Sequence, residues 1–96
     1  MIDVQQVEHK AIISGMLTRA TITRNFDKKY RKIVNDKKVI IDLANVSKVD
    51  TAGLAWLLML VERAGKNACQ ITLTNLSEDL LKLAKLSAVD TLLPIE

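Results

Sequence analysis

The chain has one cysteine, one histidine, one proline, three glycines and three aromatic residues in 96 positions. Each scarcity excludes something. A lone Cys69 cannot close an intramolecular disulfide, and a lone His9 leaves no histidine–cysteine set for zinc. Glycines at 15, 53 and 65 are too scattered to form a phosphate-cradling loop. Phe26, Tyr30 and Trp56 are few for a domain that stacks bases, and no nucleic-acid-binding module is recognisable. The longest nearly uncharged stretch, Thr51 to Val61, is eleven residues between Asp50 and Glu62. A bilayer span needs about 20, so this segment reads as a buried helix. The start, MIDVQQVEHK, lacks the basic and apolar regions of a secretory signal. A reduced, cytosolic protein with one domain over residues 1–96 and no cofactor is expected.

What is present is an ordinary globular composition, 49% hydrophobic and 26% charged, with a net charge of +3. That charge is unevenly spread. Residues 1–38 carry nine basic and four acidic groups, whereas residues 39–96 carry five and seven. The basic run is Arg24, Lys28, Lys29, Arg31, Lys32, Lys37 and Lys38. It reads first as a solvated helix face, with attraction to anionic lipid or an acidic partner as the functional alternative and nucleic acid as the remotest.

Hydrophobic spacing orders the elements. Val4–Val7 and Ala11–Met16, parted by Glu8-His9-Lys10, suggest a hairpin. Ile22, Phe26, Tyr30 and Ile33 predict an amphipathic helix over 19–35. The β-branched run Val39-Ile40-Ile41-Asp42-Leu43 predicts a strand buried on both faces. Residues 44–50 read as a polar loop, and Thr51 or Asp50 then caps a helix that runs to about Lys66. Gln70–Thr74 is a further strand. Asn75-Leu76-Ser77-Glu78-Asp79 opens a last helix, its acids sitting where the dipole favours them. The order β-β-α-β-α-β-α argues for an α/β fold with a parallel or mixed sheet.

The helix from Ala52 to Lys66 is apolar nearly all round: Leu54, Leu57, Leu58 and Val61 make one face, and Trp56, Met59 and Leu60 another. A sheet covers one side only, so the second meets either neighbouring helices or a partner. Trp56, close to Thr51 and of a type enriched at binding hot spots, is the member expected at a partner surface. Asp42 and Asp50 are the one candidate carboxylate pair. Asp42, inside an apolar run, reads as a structural acid held by a lysine or a backbone donor. Cys69 reads as a small core residue and His9 as an exposed turn residue.

The stretch from Val39 to Gly53, VIIDLANVSKVDTAG, places a small hydroxyl residue at the start of an apolar helix. There helix N–H groups lack partners and the dipole is positive. Strand, loop and Asp50-Thr51-Ala52-Gly53 together resemble the STAS domain family, over roughly residues 2–93. The resemblance implies a mixed sheet of about four strands with helices mainly on one face. It also implies a non-catalytic module that docks on other proteins. A narrower likeness, in IDLANVSKVDTAGLAWLL, ITLTNL and LLKLAKL, is to the STAS subunits of phospholipid ABC transporters that maintain outer-membrane lipid asymmetry. It implies docking on the transporter's cytoplasmic ATPase through Thr51 and its neighbours Asp50, Ala52 and Gly53, with Asn45 and Ser47 of the preceding loop. In the other branch of the family, the anti-sigma factor antagonists, the residue matching Thr51 is phosphorylated by an anti-sigma factor kinase.

Overall fold

The computed structural model describes residues 1–96. One four-stranded sheet runs in the order β1 (Ile2–Val7), β2 (Lys10–Leu17), β3 (Lys38–Val49), β4 (Gln70–Thr74). The β1–β2 hairpin is antiparallel, with Val7 opposite Lys10 and Ile2 opposite Gly15. Its tight turn uses Glu8 in the left-handed region, φ 56°. The β2–β3 and β3–β4 pairs are parallel, an arrangement that needs the long crossover connections carrying the helices. The chain after Leu93 adds an isolated parallel bridge, Leu73 to Ile95, along the free edge of β4.

The sheet has one covered face. Ala11, Ile13, Val39, Ile41 and Leu73 are buried beneath the helices. Their neighbours Lys10, Ile12, Ile40 and Thr72 alternate to the other side, where Ile40 keeps 37% of its surface exposed. The expectation that residues 39–43 are buried on both faces is therefore corrected. The run is apolar because its inward residues fill the core, while Ile40 looks out. The helices are α1 (Arg24–Tyr30), α2 (Thr51–Lys66) and α3 (Glu78–Leu86).

Two boundaries differ from the sequence reading. Helix α1 begins at Arg24, not Arg19, and passes at Tyr30 into a 3-10 turn over Arg31–Val34. The cause is local hydroxyl chemistry. The Thr21 hydroxyl lies 2.6 Å from the Met16 carbonyl and accepts from the Thr18 N–H at 3.1 Å, so residues 18–21 close into a turn. Thr23 then caps the helix by accepting from the Phe26 N–H at 3.1 Å. The second correction concerns residues 44–50. They are not a loop, because β3 continues to Val49 and pairs with Ser14–Leu17 of β2. The pairing jumps from Ile12–Asp42 to Ser14–Asn45, and from Gly15–Val46 to Met16–Lys48. Each irregularity gives β3 one more residue than β2, which breaks the alternation a sequence reader looks for. Polar side chains there mark a strand beyond the reach of β4.

Candidate functional site

The end of β3 delivers the chain to α2 through a single residue, Asp50. Its backbone is extended (φ −128°, ψ −174°), and its carboxylate accepts from the Gly53 N–H at 3.0 Å, making it the N-cap. The second carboxylate oxygen accepts from the Arg19 N–H at 3.0 Å, and the Asp50 N–H donates to the Leu17 carbonyl at 3.4 Å. Asp50 thus fastens the exit of β2 to the start of α2. The Arg19 N–H, followed by the N–H groups of Gly53, Ala52 and Asp50 itself, holds its carboxyl below the ordinary value, against the opposing pull of burial.

Gly53 is required at this junction. A Cβ on it would stand 2.0 Å from the Leu17 carbonyl oxygen and 3.0 Å from Cγ2 of Val49. Only a residue without a side chain lets α2 approach the end of β2 so closely. The D-x-x-G spacing is therefore a mechanical unit, in which the acid caps the helix and the glycine seats it. Ala52 is half-buried beside them.

Thr51 is the first residue of α2 and is exposed. The cap is Asp50, so of the two candidates for that task Thr51 is released. Its hydroxyl stands free at the helix start. One, two and three turns along α2, Ala55, Leu58 and Glu62 follow on the same side, exposed or half-buried. Leu58, Val61 and Glu62 line an open depression of about 300 Å³ with Leu92, which is 60% exposed. Thr51 therefore heads a stripe whose middle, Ala55 and Leu58, is apolar and whose far end is Glu62. Ala55 and Leu92 were not singled out in the sequence. The signal for Ala55 was available, since it lies four residues after Thr51; Leu92 belongs to a segment, Asp90–Leu92, that folds back from far along the chain.

Trp56 is not part of this surface. It is 3% exposed, its ring packs 5.1 Å from that of Phe26, and its indole N–H donates to Asp27 at 3.1 Å. The expectation of a partner-contacting Trp56 is corrected: α1 lies over that flank of α2 and claims the indole for the core. Asn45 also stands apart. It pairs with Ser14 within the sheet, four strand residues before Val49, or about 13 Å at ~3.3 Å per residue. Ser47 lies between them at the second pairing irregularity, exposed and closer to the helix start. Beside Asp50, an open depression of about 570 Å³ is lined by Met16, Thr18, Arg19, Ala20 and Lys48.

The other candidate acid has a structural place. Asp42 is 9% exposed and accepts from Asn75 at 3.0 Å and from the Ala44 N–H at 3.0 Å, with the Lys10 ammonium 3.3 Å away. Asn75, then the Ala44 N–H and Lys10, depress its carboxyl below the ordinary value, burial opposing them. This clamp ties β3 to the turn that leads into α3. Cys69 is buried, and burial pushes its thiol up, away from a reactive thiolate.

A four-stranded mixed sheet, a helix capped by Asp50 with Gly53 seated on β2, and an exposed hydroxyl at its first position make the comparison decisive. The family described as MlaB, STAS domain, matches residues 2–94. The chain belongs to this STAS family. The intermembrane phospholipid transport system binding protein MlaB of Escherichia coli K12 is 48% identical over 46 residues, which are 48% of this chain and 47% of that protein. The chain thus spans about half the length of that relative in the match. A STAS-domain protein of Pseudomonas aeruginosa UCBPP-PA14 is 29% identical over 73 residues, 75% of this chain and 72% of that one. Among solved structures, the anti-sigma factor antagonist SpoIIAA in its unphosphorylated form superposes with a TM-score of 0.73 at 16% identity, over 100% of this chain and 88% of that one. A STAS protein from Planctomyces limnophilus gives 0.74 at 16% identity, over 98% and 87%. At that identity the likeness is one of STAS fold. No helix of this STAS chain is long and apolar enough to cross a membrane.

Proposed function

We propose that this STAS domain is a non-catalytic docking subunit that seats on the ATPase of a phospholipid ABC transporter. In this reading the contact runs along α2, with Thr51 at its head and Ala55, Leu58 and the neighbouring Leu92 as its apolar body. The observation that carries it is the exposed stripe itself. Large apolar side chains of a small domain are ordinarily covered, whereas here Leu92 is 60% exposed and Leu58, only half-buried, borders it on the helix that Thr51 begins. Support for the partner class comes from the likeness to MlaB, a component of a phospholipid transport system. Asp50 and Gly53 serve this contact from below, by fixing where the helix begins. Ser47 lies nearer the helix start along β3 while Asn45 stands further back in the sheet, and the side-chain chemistry of the site offers no nucleophile–base pair.

The test is co-purification of the ATPase with the wild-type domain and with Leu58→Glu and Thr51→Glu variants. Binding lost in both, with each variant still folded, supports the reading; unchanged binding in both removes it. The alternative partner is an anti-sigma factor kinase that phosphorylates Thr51. It draws on the same exposed hydroxyl, where helix N–H groups and the dipole favour an added phosphate. Mass spectrometry of the protein purified from its own cells, showing a phosphate on Thr51, would favour that reading over the first.

A further inference from the structure

The basic face of the molecule lies on α1 and the segments around it. Residues 24–38 hold seven lysines and arginines and two aspartates, a net +5, while the rest of the chain sums to −2. Both acids are engaged. Asp27 accepts from Arg31 at 2.8 Å and from Trp56, and Asp36 lies 3.3 Å from His9 and accepts from the Lys37 N–H. Arg24, Lys28, Lys29, Lys32, Lys37 and Lys38 are exposed, and none is in an ion pair. Arg24 and Lys28 lie one turn apart on α1, on the side away from the buried Phe26, and Lys32 is exposed in the 3-10 turn that follows.

The character of this face narrows what it can meet. None of the exposed large hydrophobic residues falls within 24–38, so a protein interface there would have no apolar centre. The aromatic side chains of the region do not offer stacking platforms: Phe26 is buried and Tyr30 is half-buried against it, ring centroids 4.9 Å apart. No depression of the surface is lined by these residues, so no single small anion is cradled. Five of the seven cations are lysines, flexible point charges without the fixed fork of arginine. What remains is diffuse attraction to an extended anionic surface.

We infer that the α1 face rests against the anionic headgroups of a phospholipid bilayer. The inference rests on the proposed work beside a membrane transporter and adds an orientation to it. The geometry allows both contacts at once. Trp56 marks the flank of α2 that α1 covers, whereas Leu58 and Val61 border Leu92 on the other. A partner on the Thr51 stripe therefore leaves the lysines of α1 free to face the membrane.

The test is co-sedimentation of the isolated chain with vesicles of phosphatidylethanolamine and phosphatidylglycerol, against vesicles of phosphatidylcholine alone. Binding is expected on the anionic vesicles only, falling as salt is raised. Each lysine near a charged bilayer contributes about a fivefold gain in partitioning, so Lys28→Gln, Lys32→Gln and Lys37→Gln together should weaken it about 100-fold. Lys82→Gln with Lys85→Gln, on exposed positions of α3, should leave it unchanged. Equal binding to neutral vesicles, no binding at low salt, or equal loss in the α3 variant would overturn the inference. So would tighter binding to an oligonucleotide than to the anionic vesicles. Co-purification of the ATPase, measured separately, should survive the triple substitution; if it is lost there, the face is a protein interface instead. Failure of the ATPase contact in wild type would strike the docking proposal and not the vesicle result.

Discussion

The Cα of Gly53 lies so near the Leu17 carbonyl that a methyl group there would come within 2.0 Å of the oxygen. The clash is with backbone of the adjoining strand end, which cannot swing aside as a side chain can. Gly53→Ala should therefore destabilise the domain by about 1–3 kcal/mol, in spite of alanine's better helix propensity. Urea midpoints of the two proteins check this. Gly65→Ala is the control, since nothing lies near the added methyl, and it should be neutral or slightly stabilising.

Asp50→Ala removes the cap of α2 and the tie to Arg19 together, and should cost about 1–2 kcal/mol. Asp50→Asn keeps an acceptor for the Gly53 N–H and should fall between. Comparison of the three melting curves reads the order directly.

Acid should unfold the domain through two named groups. Asp42 and Asp50 both have native carboxyls depressed below the ordinary 3.8. A depressed group contributes stability above its unfolded value and loses it as pH falls towards the native one. Stability should therefore drop as pH falls below about 4. Asp42→Asn should start less stable at neutral pH and show a shallower decline, measured as urea midpoints across an acid series.

Trp56→Ala should behave as a core truncation, costing about 3–5 kcal/mol, because the indole is packed on Phe26 and bonded to Asp27. Trp56→Phe should recover much of the packing while leaving Asp27 one donor short. Thermal melts distinguish this from the selective loss of binding that a surface residue would give.

The element order and the position of α2 were legible because the chain writes them in hydrophobic spacing and capping chemistry. Ser77 and the acids after it announce α3, and it duly caps through the Leu80 N–H. Three things were not legible. The irregular pairing after Asp42 hid the second half of β3, since an extra residue in a strand scrambles its alternation. The late start of α1 depends on where the Thr21 hydroxyl finds acceptors, which hydrophobic period does not report. Trp56 was ambiguous because α2 is apolar on two flanks, and only the tertiary placement of α1 and Asp90–Leu92 decides which flank is covered. At the helix start, the motif marked the junction of β3 and α2, but the division of labour inside it, with Asp50 capping and Thr51 free, is a matter of backbone geometry.

In the proposed docking, Thr51 is a surface group with little part in folding, and Leu58, half-buried against the core, shows its outer side to the partner. The most direct measurement of this contact is the affinity of the transporter ATPase for wild type, Thr51→Ala, Thr51→Glu and Leu58→Glu, with a melting curve for each. Thr51→Ala should change stability by no more than about 0.5 kcal/mol, since the cap is elsewhere. Thr51→Glu should remain folded, its carboxylate favoured by the helix dipole. Both glutamate variants should lose at least about tenfold in affinity, because a partner must then desolvate the charge. Affinities within twofold of wild type for both, with the folds intact, would leave the stripe as ordinary surface.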